Sequence, residues 1–292
     1  MNHHLHDNGW TIILDDFNFK DATQEDMNQI ACFIAINTLV IAPNQGPLTV
    51  QDQIRVCEML GRIETFNEHQ YKKPYTHILI PGSDCKVMRV TGMLDEHGEP
   101  GVFGHVSELD WHVNQPANPN RRPIVWLYGV QGTVGSKTSF TNNIMAYDDL
   151  DSETLDKIKD FKYVCGWRKG NYSDFDFGKI KGEGVTEMFN EMYNPSMIHK
   201  NTGRKTGLFF PFLQFRNFVG YTEEQSIEII KPLIDHVLQE KYMYHHEWQN
   251  GDVLLSEQWL GVHKRWEFEH MDQRILHRIE TGFENCDLSA IR

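Results

Sequence analysis

The chain has 292 residues, 40% of them hydrophobic and 12% aromatic, so it can bury a sizeable core and is not a disordered polymer. Lys and Arg number 28 against 41 Asp and Glu, a net charge of −13. That balance repels phosphates, which argues against nucleic acid or an anionic membrane as partner and leaves only a local basic pocket for a small anion.

No apolar run approaches the roughly 20 residues of a membrane span. Residues 1–7 lack the basic start and apolar stretch of a signal peptide. Five scattered cysteines (Cys32, Cys57, Cys85, Cys165, Cys286) include no CxxC pair. They predict reduced thiols in a cytoplasmic protein rather than a disulfide frame or a zinc–thiolate site. Homo-oligomerisation is left open.

In chain order, Thr23 with Asp26 predicts a helix start, with Met27, Ile30 and Ile34 on one face. Residues 38–41 read as a buried strand. Thr49 with Asp52 predicts a second helix with Ile54, Cys57 and Leu60 inward, ending at Gly61. Beyond residue 75, short strand-like runs dominate: 85–90, 124–130, 162–165, 207–210, 242–247, 252–256 and 274–280. Two helices interrupt them. One follows Asp151, with Leu155, Ile158 and Phe161 inward. The other starts at Thr222, whose capping box Gln225 completes, buries Ile227, Ile230, Ile234 and Val237, and is kinked at Pro232. Residues 167–197 show no clear period and read as a long loop or lid, with 66–84 as a second cover. No repeat or linker divides residues 1–292, so a single domain is expected.

Most of the 15 histidines have structural explanations. His245 and His246 adjoin on a strand and point to opposite faces. His112 differs, because Trp111-His112-Val113-Asn114 puts an imidazole and an amide oxygen two apart on one strand face. A distant histidine closing the set would make a facial triad with open positions. His263 follows such a strand, and Arg274 and Arg278 beyond it share one face. A guanidinium offers a planar fork of donors to a carboxylate; the alternative is a pair of surface salt bridges.

Four blocks in order resemble the taurine dioxygenase-like (TauD/TfdA) family of iron(II)- and 2-oxoglutarate-dependent oxygenases. They are Trp111–Asn114, similar to Trp-His-Thr-Asp; Gly135–Phe140, similar to Gly-Gly-Asp-Thr-x-Phe, with Ala146–Leu150 after it; His199–Lys205, similar to His-Pro-x-Thr-Gly-Arg-Lys; and the stretch from Trp248 to Arg278. The resemblance spans roughly residues 40–282. It implies a mainly β fold with flanking helices, a double-stranded β-helix (jelly roll, cupin-like) core. It implies iron(II), 2-oxoglutarate and O2 as cofactor and co-substrates, and a small-molecule substrate hydroxylated at an unactivated C–H bond with release of succinate and CO2. His112, Asn114 and His263 stand at the metal-ligand positions. Arg278 stands where the distal carboxylate of 2-oxoglutarate is gripped, with Thr138 adding a hydroxyl and Arg274 a second contact. Glu108, Gln214, Arg216 and Trp259 are the substrate-pocket candidates.

Asn114 departs from the family, whose motif has Asp there. The amide removes one negative charge from the centre and should weaken the metal. Three readings stay open: Asn114 ligates; the position admits an anion such as halide, as in halogenase relatives with Gly or Ala there; or turnover is lost and a 2-oxoacid-binding relative remains. Asp110 or Glu108 could also substitute as the carboxylate. Lys137 beside Thr138, and Gln258-Trp259 where Asn-Arg is common, depart more mildly.

Overall fold

The computed structural model describes residues 1–66, 78–104, 108–115, 121–168, 185–198, 203 and 206–291. The first half contains β1 (His3–Leu5), β2 (Ile12–Leu14), α1 (Gln24–Asn37), β3 (Leu39–Ala42), α2 (Val50–Leu60), β4 (Met88–Val90), β5 (Leu109–His112), β6 (Ile124–Gln131), β7 (Lys137–Thr141) and α3 (Asn143–Asp148). The second contains α4 (Ser152–Ile158), β8 (Tyr163–Arg168), β9 (Val185–Tyr193), β10 (Ser196–Ile198), β11 (Thr206–Leu208), β12 (Phe215–Phe218), α5 (Glu223–Val237), β13 (Met243–Glu247), β14 (Val253–Glu257), β15 (His263–Arg265) and β16 (Ile275–Thr281).

The predicted helix starts all form. Thr23–Asp26, Thr49–Asp52 and Thr222–Gln225 each close a reciprocal capping box, an arrangement that satisfies two orphan backbone donors. Asp151 caps α4 through the Thr154 N–H. Helix α5 runs as one element with Pro232 inside it, and Ile227 is only partly buried. Gly61 ends α2 for a reason other than the expected one. Its φ of 178° is ordinary extended backbone, but a Cβ there would collide with Glu284 and the Gly282 backbone.

Seven strands make the larger sheet in the order β1-β2-β3-β14-β6-β16-β4, and four make the smaller, β13-β7-β15-β5. Strands β3 and β14 are buried at every position, because the larger sheet is covered on both faces. Helices α1 and α2 pack Met27, Ile30, Ile34, Ile54 and Leu60 onto its outer face, against Val40, Trp126, Leu255 and Ile279. On the inner face Ile41, Leu127, Leu254 and Leu276 meet Phe140 of the smaller sheet and Trp248, the residue after β13. This is the expected jelly roll. Behind the smaller sheet a third layer joins Trp111, Val113 and Val262 to α5 and to the sheet β12-β8-β9.

Residues 167–197, expected to be a loop, contain strands β9 and β10. Strand β9 pairs antiparallel with β8 over Val185–Tyr193. Residues 169–184 of the expected lid, and 67–77 of the second cover, lie outside the described residues, as do all of His199–Lys205 except Gly203. No helix among the described residues is long and apolar enough to cross a membrane.

Candidate metal and co-substrate site

Antiparallel pairing of β15 with β5 sets His263 directly opposite His112, with ring centroids 4.2 Å apart at 51°. The sequence separates these residues widely; the sheet register brings them together. The Nδ1 of His112 lies 2.6 Å from the Asp110 carbonyl oxygen. A carbonyl only accepts, so Nδ1 carries the proton and Nε2 is left with its lone pair. This is the second-shell arrangement that orients metal-binding imidazoles. Burial lowers the His112 pKa to about 3, and Arg265 and Arg278 act in the same direction. Burial, His112 and Arg278 likewise hold His263 well below the usual histidine range. Both rings are therefore neutral, the form that binds a cation.

Asn114 follows β5 and is buried. Its backbone N–H donates to Gln258 Oε1 at 2.9 Å. Its side-chain oxygen accepts from Arg278 Nη1 at 3.2 Å, while the Nδ2 donor is buried without a hydrogen-bond partner among the described residues. The Arg278 contact fixes the amide orientation, since a flip would set two donors against each other. The carboxylates considered as substitutes are engaged by Lys264, at 2.6 Å to Glu108 and 3.2 Å to Asp110. Among the described residues no group of three His, Cys, Asp or Glu side chains is placed to hold a metal. Two neutral imidazoles beside an amide oxygen fit a divalent cation, with less anionic charge than a carboxylate would give.

The two arginines differ in their surroundings. Arg278 acts on both imidazoles and is already engaged: besides Asn114, its Nη2 meets Met88 Sδ at 2.6 Å and Glu280 Oε1 at 3.3 Å. Arg274 is fully buried, and among the described residues none of its three guanidinium nitrogens has a hydrogen-bond partner. Burial, aided by Arg265, lowers its pKa to about 9. Arg265 in turn pairs across the sheet with Thr138. The Thr138 hydroxyl oxygen accepts from Trp248 Nε1 at 2.9 Å, so its own proton is directed elsewhere. Two adjacent buried cations and a hydroxyl donor make a dry pocket suited to an anion.

Of the substrate candidates, Glu108 is bound to Lys264. Gln214 is fully buried and donates to the Val113 carbonyl at 3.0 Å, bracing the strand that carries the metal motif. Arg216 donates to the carbonyls of Leu213 and Phe215. Trp259 is 3% exposed and stacks on Arg121, whose guanidinium carbon lies 3.5 Å from the ring centroid. Arg121 and Glu280 carried no spacing signal in the sequence, whereas Gln258 was marked only as a departure from the family motif.

A jelly roll that sets His112 opposite His263 and buries Arg265, Arg274 and Arg278 has the make-up of a non-haem metal oxygenase. The chain belongs to the TauD/TfdA family: the model described as "Taurine catabolism dioxygenase TauD, TfdA family" matches residues 8–279. It is an iron(II)- and 2-oxoglutarate-dependent oxygenase. It is similar to pentalenolactone F synthase of Streptomyces avermitilis, 23% identical over 68% of this chain and 69% of that one. An alpha-ketoglutarate-dependent 2,4-dichlorophenoxyacetate dioxygenase of Burkholderia sp. is 23% identical over 83% and 81%. Among solved structures, AAD-2 in complex with Mn(II) and N-oxalylglycine superposes with a TM-score of 0.71, 15% identity and 96% coverage of both chains.

Proposed function

We propose that the protein hydroxylates an unactivated C–H bond of a small organic acid. The observation that carries this reading is the neutral His112–His263 pair together with Arg274, a buried guanidinium without a hydrogen-bond partner among the described residues. The relative that acts on 2,4-dichlorophenoxyacetate supports an acid as substrate. Iron(II) with 2-oxoglutarate and O2 supplies the oxidising chemistry, one oxygen atom passing to the substrate and the other to succinate, with loss of CO2.

His112, His263 and the Asn114 oxygen hold the metal in this reading. Arg274, with Arg265 beside it and the Thr138 hydroxyl, takes the distal carboxylate of 2-oxoglutarate. Arg278 keeps Asn114 oriented and is itself balanced by Glu280. The apolar inner face around Phe140, Trp248 and Leu276 excludes water. The five cysteines are unpaired, which supports a cytoplasmic location.

The test is oxygen uptake and succinate formation with iron(II) and 2-oxoglutarate. Stoichiometric metal binding by calorimetry should vanish in the His112→Ala/His263→Ala variant; undiminished binding there would sink the assignment. One observation favours a second reading. The Asn114 oxygen is turned to Arg278, which leaves the third position without an anion and next to a guanidinium. That supports a halide there and halogen transfer as the outcome, in which case product formation depends on chloride.

A further inference from the structure

The candidate metal centre is short of negative charge. Both imidazoles are neutral and residue 114 is an amide. Arg278 adds a cation 3.2 Å from the Asn114 oxygen. A cation in contact with a ligand position works against a divalent metal, so the acid that answers Arg278 bears on the centre.

Glu280 is that acid. It lies two residues beyond Arg278 on β16, on the same strand face, and is fully buried. Its Oε1 stands 3.3 Å from Arg278 Nη2, and its Oε2 accepts from Gln115 Nε2 at 3.1 Å. Gln115 directly follows Asn114 and has a φ of 49°, left-handed backbone that a residue other than glycine seldom adopts. Gln258 accepts the Asn114 backbone N–H at 2.9 Å and also donates to Glu280. One carboxylate thus reaches residues 114 and 115 by three routes, through Arg278, Gln115 and Gln258.

These neighbours suit the anion. Two amide donors and a guanidinium face the carboxyl group, and hydrogen bonds donated to a carboxylate favour its charged form. Burial pushes the Glu280 pKa up, and Arg278 and Gln258 oppose that. The other acids beside the metal motif are engaged elsewhere: Glu108 and Asp110 with Lys264, Glu64 and Glu284 with Arg122.

We infer that Glu280 carries, outside the ligand set, the negative charge that Asn114 lacks. It is a positioning residue. It offsets Arg278, holds the guanidinium fork against the Asn114 oxygen, clamps residue 115, and sets how strongly Arg278 pulls on an anion bound at the metal. This rests on the oxygenase reading and deepens it. Over position 114, Arg278 and Glu280, wild type is neutral. Glu280→Gln leaves one net positive charge, Asn114→Asp one net negative charge, and the double variant is neutral again.

The experiment is manganese(II) binding to the full chain, followed by electron paramagnetic resonance, in these four proteins. The manganese-saturated forms are then titrated anaerobically with 2-oxoglutarate in a calorimeter. Glu280→Gln should weaken manganese(II) by roughly tenfold or more and tighten 2-oxoglutarate by roughly threefold or more, because lost negative charge acts with opposite sign on a cation and on a dianion. A merely structural defect weakens both. Adding Asn114→Asp to Glu280→Gln should return manganese(II) affinity to within about threefold of wild type. Where Glu280→Gln alone disturbs folding, the step from Asn114→Asp to the double variant makes the same charge change and should show the same opposed shifts. The inference is overturned if Glu280→Gln leaves manganese(II) affinity unchanged, if both ligands weaken together, or if Asn114→Asp fails to restore the metal. Wild type that binds no manganese(II) would remove the metal site itself, and this inference with it.

Discussion

Strand β16 has two faces that do different work. Outward, Ile279 packs with Trp126 and Leu255 under the helices α1 and α2. Inward, the same strand and the residue before it carry Arg274, Leu276, Arg278 and Glu280, three charged groups in a nearly dry interior. Burial raises the Glu280 pKa, and Arg278 offsets that only in part. The outer face contributes stability through apolar area. The inner face gives some of it up, because a buried charge is tolerated only where something compensates it. The lesson is that the helices flanking this jelly roll underwrite the cost of its cavity.

The largest expected effect breaks the outer face. Ile279→Ala should cost about 2–5 kcal/mol of folding stability, the range for deleting a buried branched side chain. Metal and 2-oxoglutarate affinities of the folded variant should be unchanged. Chemical denaturation together with calorimetry checks both halves, and a large loss of ligand affinity would show that the faces are not separable.

The second effect reverses the sign. Arg274→Met replaces an unpartnered buried cation by an apolar chain of similar length. It should raise the melting temperature, since replacing buried ionic groups with apolar ones is often stabilising. It should also weaken 2-oxoglutarate by roughly 10- to 100-fold, corresponding to a lost charged hydrogen bond of about 1.5–3 kcal/mol. A variant that melts higher and binds 2-oxoglutarate as wild type does would return the co-substrate role to Arg278.

These two outcomes bear on what a sequence can carry. The caps of α1, α2 and α5 were legible because Thr with Asp or Gln three residues on satisfies specific backbone donors. Strand β9 was not. Its apolar residues fall at 185, 188, 189, 192 and 193, with no alternation, and pairing with β8 decides its conformation. The metal pair was legible through motif blocks, but the register that faces His112 with His263 is a property of the sheet. Arg274 and Arg278 share a strand face, so spacing could not rank them; their partners do. The burial of Arg121 was not legible, because an arginine ordinarily points to solvent, and only the stacking of Trp259 and Phe209 shows otherwise.

A smaller effect concerns Glu257. Its folded pKa of about 8 lies above the ordinary 4.5, so the folded state holds a proton that the unfolded state releases. Its contribution to stability is therefore present below about pH 4.5 and is lost as pH rises towards 8. Glu257→Gln keeps an oxygen for the Trp259 and Leu260 N–H groups and removes the titration. Melting temperatures measured at pH 6 and pH 9 should fall less between those values in the variant. An equal fall in both proteins would assign the slope to other groups.

The smallest effect, and the one that probes the inner face most finely, is Asn114→Asp. The two side chains are nearly the same size, so folding should be unchanged. A carboxylate at this position has two claimants: the cation held by His112 and His263, and Arg278, whose Nη1 already lies 3.2 Å from the amide oxygen. Where the metal wins, its affinity rises, succinate formation increases, and any dependence of the product on chloride disappears because the third position is filled. Where Arg278 wins, affinity barely moves in the single variant. Replacing Arg278 by Leu in the Asn114→Asp background would then release the carboxylate and raise metal affinity well above that of Arg278→Leu alone. Manganese(II) binding followed by electron paramagnetic resonance in the four proteins separates these cases. Unchanged affinity in both the single and the double variant would place residue 114 outside the coordination sphere, and the third ligand would have to come from elsewhere in the chain.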